Sequence, residues 1–554
     1  MIKTFFKNGT AFLIRKQGSI LGAAAVIMAT VLLSRVLGLF RDRLLATYFS
    51  VDDLGVYFAA FRLPNLLFEL LIMGVLSSAF IPVFTNYLVK GDSDHANRIA
   101  SGVINLSVLA MLILIVPLYV FARQISYLLV PGFSENERVL MIEFTRIMLL
   151  GQLLPLIIGN YITGILQSHQ RFLLPALAPV IYNVGIIIGI VFLSSSMGLY
   201  GAVWGVVIGA VLYLLIQLPL LWKLGYSHKL ILNIKDTGVR EVLKLMLPRT
   251  FGLGISQIDT TVDLILASFL GSRSITIFNF AQHLQQVPIG LFGATFAQAT
   301  LPTLSISAAK HEMENFKEAF LASLNQILFF VLPASVMLMV LRIPIVRLVF
   351  GAAKFDWAAT VSTGRTVSFF AVSIFAQSLV QLFARGFYAL YDTKTPVIIG
   401  SISVVVNTVL SVVFVRFLNL PVWSLAISTS VASVINLLLL AISLHVKIKG
   451  FNLQKLLIPP FKMFLASFVT GIFLYIPLKL LDQLVFDTTR VVDLIMLTGV
   501  AMISGLSVYI FLAWFLDIEE VGLFFRLLKK MKTVPQIFAN PSSELVNGDN
   551  TPVG

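Results

Sequence analysis

The stretch Gly18–Phe40 reads GSILGAAAVIMATVLLSRVLGLF, apolar on every helical face and interrupted in charge only by Arg35. A spanning helix needs about 20 mostly apolar residues, so this run predicts a membrane helix. It is long for the core of a secretion signal and no small-residue cleavage pattern follows, so it reads as a retained first helix. The rest of the chain repeats the pattern. Of 554 residues, 58% are hydrophobic and 12% charged, about half the charge of an ordinary soluble domain. Mean hydropathy is +0.94. These values exclude a soluble enzyme of this length and a disordered chain. Barrel strands alternate apolar and polar residues, whereas Val108–Val120 and Val184–Leu193 are apolar all round, which argues against a β-barrel.

Hydropathy with Pro and Gly punctuation gives fourteen runs, near 18–40, 54–86, 99–122, 140–165, 173–195, 199–222, 243–271, 275–303, 317–346, 364–390, 396–416, 421–446, 457–480 and 492–516. The expected fold is an all-α polytopic membrane protein. An even number of spans puts both ends on one side. The termini and the loops after even-numbered runs carry about 23 Lys and Arg, the opposite side about 12. The positive-inside rule then predicts cytoplasmic termini. The same rule accounts for the formal charge of +14 without a nucleic-acid partner. There is no cysteine, which excludes disulfides, thiolate catalysis and cysteine metal sites.

A repeat is visible. Asp42-Arg-Leu-Leu-Ala-Thr-Tyr-Phe-Ser50 aligns with Asp263-Leu-Ile-Leu-Ala-Ser-Phe-Leu-Gly271 at an offset of 221, and Pro175 meets Pro396 in the same frame. Each repeat holds six runs. Six is even, so the two share one orientation, an architecture that places the substrate site at the repeat interface. The expected organisation is a basic cytoplasmic N-terminus (1–17), a first lobe (18–222), a basic linker (223–242), a second lobe (243–446), two extra helices (457–516) and a tail (517–554) with a disordered end.

Ionisable groups inside spans are costly and are functional candidates by default. The first two runs carry Arg35 and Arg62 with Glu69, and Arg41 and Asp42 sit at the far end of the first. Guanidinium stays charged and grips phosphate bidentately, so this cluster suits an anion, a phosphate best. Against that stand two structural readings: Arg35 pairs with Asp42 while Arg41 snorkels outward, and Arg62 pairs with Glu69. Glu143 and Arg146 read as a structural ion pair. Asp259 and Asp263 share a helix face and need a cation, a proton or a basic partner. With Asn407 they form a candidate site for a monovalent coupling cation, Na+ or H+. His283 lies among Gln282, Gln285 and Gln286, and a histidine brings titration near neutrality within reach. There is no Walker A sequence, no HExxH and no nucleophile elbow, so no enzymatic reaction is expected.

Ser34-Arg-Val-Leu-Gly-Leu-Phe-Arg-Asp42, Phe61-Arg-Leu-Pro-Asn-Leu-Leu67, Leu76-Ser-Ser-Ala-Phe-Ile-Pro82, Gln170-Arg-Phe-Leu-Leu-Pro175 and Gly386-Phe-Tyr-Ala-Leu-Tyr-Asp-Thr-Lys-Thr-Pro396 together resemble the MviN/MurJ family of lipid II flippases, over about 18–516. The resemblance implies a fourteen-helix fold of the multidrug/oligosaccharidyl-lipid/polysaccharide (MOP) exporter type with a central cavity. It implies alternating access that carries an undecaprenyl-diphosphate-linked cell-wall precursor to the outer leaflet. It also implies a bacterial inner-membrane location, a lipid-linked glycan diphosphate as substrate and cell-wall synthesis machinery as a partner. Charge pattern and resemblance together give a substrate-binding set of Ser34, Arg35, Arg41, Asp42, Arg62 and His283. The sequence departs from the family where arginines are usual, at Phe68, Glu69 and His283. A flippase for another polyprenyl-diphosphate oligosaccharide and a cation-coupled multidrug exporter of the same fold are the alternatives.

Overall fold

The structure is a computed structural model that describes residues 20–73, 79–484 and 490–522. The basic N-terminus expected over 1–17 and most of the tail lie outside the described residues. Among those described there is no strand. Each of the fourteen runs expected from hydropathy carries helix, with short breaks inside several, as at Phe61, Gln152 and Leu341; residues 18–19 and 74–78 lie outside the described residues. By length and composition alone, ten helices among the described residues suffice to cross a membrane, or eleven if Trp357–Ala371 and Ile374–Ala389 form one bent span. The first helix, Ile20–Tyr48, continues past the apolar run. Arg41 and Asp42 therefore lie inside it rather than at its end. Ser50 then caps the next helix, Val51–Ala60, its hydroxyl accepting from the Asp53 amide at 3.1 Å.

The second run is broken, for a readable reason. Helices Val51–Ala60 and Arg62–Phe68 meet at Phe61, and Pro64 sits in the first turn of the second. Proline has no N–H to give the carbonyl four residues back, which is that of Ala60. That carbonyl instead accepts from Thr145 Oγ1 at 3.2 Å. The chain then makes a π-helical turn at Glu69–Met73. Such turns recur at Ile289–Ala294, Gly189–Leu193 and Val413–Phe417. They start at 69 and 289, and at 189 and 413, so they fall in corresponding helices of the two sequence repeats.

Contacts group the chain into two compact units. One comprises Met1–Val287, Leu341–Ala376 and Asp392–Leu440; the other comprises Pro288–Val340, Gln377–Tyr391 and Ala441–Gly554. In the first, helices Leu173–Ile188 and Leu199–Leu215 pack backbone to backbone. A Cβ on Gly185 would stand 2.3 Å from the Gly209 Cα, and one on Gly189 would stand 2.2 Å from the Gly205 Cα. Only glycine permits that approach, which stands in for the hydrophobic drive that helices lack in lipid. The Leu173–Ile188 helix also packs on Ile20–Tyr48, and Thr237–Phe269 packs on Lys394–Val412. In the second unit, Met313–Val340 packs on Leu453–Leu484, which pairs with Val491–Phe515. There the buried Tyr509 hydroxyl donates to the Phe329 carbonyl at 2.9 Å.

Candidate functional site

In the first unit a cavity of about 310 Å³ is lined by residues from both sequence repeats, among them Arg41, Tyr57, Arg62, Tyr182, Asp263 and His283. Its polar wall is built around Asp42, whose side chain is 2% exposed. Arg41 Nε and Nη2 donate to Asp42 Oδ1 at 3.0 and 2.8 Å. Arg41 Nη1 reaches across to Asn183 Oδ1 at 3.0 Å. Asn183 Nδ2 in turn donates to the Pro179 carbonyl at 3.1 Å and to Ser34 Oγ at 3.4 Å. Two of the three guanidinium nitrogens thus fix the Arg41 side chain on Asp42, while it keeps 20% exposure at the cavity.

The other oxygen of Asp42 faces His283. Nδ1 lies 2.7 Å from Oδ2; a carboxylate oxygen accepts, so the ring proton sits on Nδ1 and Nε2 is left for another partner. Phe58 packs edge-on against the imidazole, ring centres 6.1 Å apart. The histidine is a third exposed, at 33% of its side chain. One buried carboxylate therefore holds two cation-capable groups from positions 242 apart in sequence at the cavity wall.

Arg62 is held differently. Its guanidinium is taken up by helix Thr237–Phe269: Nε and Nη2 donate to Thr261 Oγ1 at 3.0 and 2.6 Å. Nη1 donates to Gln257 Oε1 at 3.0 Å and Nη2 to the Gln257 carbonyl at 2.6 Å. Nearby, Thr250 Oγ1 donates to the Leu70 carbonyl at 3.2 Å. The expected pairing of Arg62 with Glu69 is replaced by these bonds. The expected pairing of Arg35 with Asp42 is replaced as well: Asp42 takes Arg41 and His283. Arg35 is exposed, six residues before Arg41 on the same helix. Nor do Glu143 and Arg146 pair: Glu143 accepts from the Tyr200 hydroxyl, and Arg146 Nε donates to the Tyr119 carbonyl at 3.2 Å.

Asp259, Asp263 and Asn407 do come together. Asn407 Nδ2 donates to Asp259 Oδ1 at 2.8 Å and lies 3.4 Å from Asp263 Oδ1. Asp263 is 5% exposed and Asn407 2%. The Asn407 amide oxygen is buried without a hydrogen-bond partner among the described residues. Sequence reasoning missed Gln257 and Thr261, whose only signal was polar spacing of four residues on an apolar helix. It assigned no contact to Asn183, which accepts from Arg41 Nη1.

Comparison with known proteins gives a concordant result. The chain matches the family described as "Lipid II flippase MurJ" over residues 45–513. The "Probable lipid II flippase MurJ" of Bdellovibrio bacteriovorus is 30% identical over 513 residues, 91% of this chain and 96% of the relative. The "Lipid II flippase MurJ" of Burkholderia cenocepacia is 28% identical over 436 residues, covering 76% and 83%. A solved structure, "Lipid II flippase MurJ, inward closed conformation", superposes with a TM-score of 0.74 at 27% identity, covering 91% of this chain and 99% of the other. An inward-facing multidrug resistance MATE family transporter of the MOP superfamily gives a TM-score of 0.63 at 16% identity, covering 75% and 94%, and shares the fold.

Proposed function

This chain belongs to the MurJ family of lipid II flippases, and on that premise we propose that it carries the lipid-linked peptidoglycan precursor across the bacterial inner membrane by alternating access. It is a multi-pass membrane transporter rather than an enzyme. The observation that carries the reading is the Arg41–Asp42–His283 arrangement on the cavity wall. A diphosphate entering the cavity meets the Arg41 guanidinium already oriented by Asp42 and Asn183, so little side-chain entropy is lost on binding. His283 stands where the family usually carries an arginine; with Nδ1–H on Asp42, its Nε2 donates to a phosphate oxygen only in the imidazolium form. Arg35, unengaged by Asp42, supplies a second cation on the same helix. Ser34 acts through Asn183 on the position of Arg41. Arg62 is a positioning residue, tying the second run to Thr237–Phe269.

Asp259, Asp263 and Asn407 are the proposed coupling site for Na+ or H+. Two carboxylates and an amide oxygen without a hydrogen-bond partner among the described residues supply hard oxygen ligands of the kind a monovalent cation takes. The excess of Lys and Arg on one side supports cytoplasmic termini. Cell-wall synthesis machinery is the partner that would consume the flipped precursor at the outer face.

The test is complementation with a lipid readout. The chain is expressed in bacteria depleted of their own lipid II flippase. Outer-leaflet lipid II is then scored with an externally added enzyme that cleaves it. Restored exposure is expected. Absence of exposure, with the protein correctly inserted, overturns lipid II as the substrate.

A further inference from the structure

The connection between Lys223 and Thr237 is tied down, not loose. The Ser101 hydroxyl accepts from the Lys229 amide at 3.1 Å. Asn105 Nδ2 donates to the Lys229 and Ile231 carbonyls at 2.8 and 3.1 Å. His228 Nε2 lies 2.9 Å from Asn105 Oδ1, and the Tyr226 hydroxyl is 3.1 Å from His228 Nδ1 and 3.2 Å from Ser101 Oγ. The Ile231 amide donates to the Lys229 carbonyl at 2.9 Å, a three-residue turn with Leu230 at its apex.

This tethered segment presents apolar side chains outward. Leu230 is 93% exposed, Leu232 60% and Ile234 58%, and Trp222 at the end of the preceding span is 68% exposed. Large apolar groups gathered on a surface mark an interaction site. The depth of the tethers identifies what covers them. Ser101 and Asn105 lie within Ser93–Val120, a helix apolar and long enough to cross the membrane. The loop is thereby pinned alongside a spanning helix. The Lys229 amide and the carbonyls at 229 and 231 are met by side chains, which lowers the cost of setting this backbone against apolar surroundings. Lys223, Lys229 and Lys235 are exposed around the apolar set. The neighbouring Asp236 is occupied: its carboxylate accepts from the Gly238 and Val239 amides at 2.9 and 3.3 Å and faces His95 Nε2 at 3.1 Å.

We propose that residues 222–235 form an interfacial anchor, with Trp222, Leu230, Leu232 and Ile234 set into the acyl boundary and the three lysines on anionic phospholipid headgroups. Apolar insertion combined with basic side chains is the chemistry by which segments lie in the membrane plane. The occupant is therefore the bilayer itself, with its acidic lipids favoured.

The absence of cysteine gives a clean test in the full-length protein. A nitroxide is attached to the Leu230→Cys variant and, as a control in the polar first turn of Ser93–Val120, to Asp94→Cys. Each is reconstituted in bilayers of phosphatidylcholine alone or mixed with phosphatidylglycerol. Collision with oxygen, which partitions into lipid, is compared with collision with a water-soluble nickel chelate. The expected result is an oxygen-to-nickel ratio several-fold higher at position 230 than at 94, rising with phosphatidylglycerol. That rise should vanish in a Lys223→Gln/Lys229→Gln/Lys235→Gln background. A water-like ratio at 230 in both bilayers overturns the anchor and leaves the apolar set for a protein partner. A lipid-like ratio indifferent to phosphatidylglycerol overturns the role of the lysines in selecting acidic lipid.

Discussion

His283 Nδ1 stands 2.7 Å from Asp42 Oδ2, while Arg41 occupies the other oxygen of the same carboxylate. The acid is almost fully buried and the two bases are not, so Asp42 is the fixed point of the cavity wall. Asp42→Asn should therefore leave Arg41 without its charge partner. Removing one member of a buried pair costs about 3–5 kcal/mol; partial exposure of Arg41 puts the expectation at the low end. Outer-leaflet lipid II should fall while membrane insertion is unchanged. Wild-type exposure in Asp42→Asn would show that Arg41 needs no such support.

Arg62 separates gripping from positioning. A lysine retains the charge but not the fork that makes four hydrogen bonds to Gln257 and Thr261. Each bond from a charged donor contributes about 1.5–3 kcal/mol. Arg62→Lys should thus lower the thermal unfolding midpoint nearly as much as Arg62→Ala. If the lysine variant keeps both stability and transport, charge alone is what position 62 supplies.

Arg41→Ala and Arg35→Ala test the anion site. Both variants should insert normally, and the double variant should lose transport. A fully active double alanine variant would sink the diphosphate-gripping role.

At the proposed cation site, sodium should stabilise the wild-type protein against heat by RT ln(1 + [Na+]/Kd), about 2.7 kcal/mol at a hundred times Kd. Asp263→Asn and Asn407→Ala should abolish that gain. Unchanged sodium and pH dependence of transport in Asp263→Asn would refute the site.

Outside the spans, the hydrogen bond from Arg273 holds the Asp356 carboxyl below its ordinary value of 3.8. A carboxylate with a lowered value contributes stability above its unfolded value and loses it as pH falls through the folded one. Asp356 is half exposed, so the contribution is that of a surface pair, about 0–1 kcal/mol. The stability difference between wild type and Arg273→Gln should persist at neutral pH and shrink below pH about 4. A difference that grows in acid would contradict the assignment.

Much of the fold was legible because its signals are local. A run of about 20 apolar residues predicts a span wherever it occurs, and all the predicted runs carry helix. The repeat was visible at Asp42 and Asp263, and the π turns at 69 and 289 follow it. Even the break near Phe61 follows from Pro64. The second run was nonetheless read as one element, because hydropathy does not register a missing N–H.

The partners of the charges were another matter. The sequence placed Arg35, Arg62, Asp263 and His283 in membrane helices, with Arg41 and Asp42 at the far end of the first, and marked such charges as costly there. It could not say that Asp42 takes Arg41 and His283 rather than Arg35, that Arg62 takes Gln257 and Thr261 rather than Glu69, or that Glu143 takes Tyr200 rather than Arg146. Hydropathy sums over neighbours along the chain, so sequence alone determines which segments leave water. Hydrogen bonds and ion pairs need atoms within about 3 Å. Apart from the neighbours Arg41 and Asp42, the partners named here lie 57 to 241 residues apart, so the rotation and packing of whole helices, which only the tertiary structure specifies, decided them.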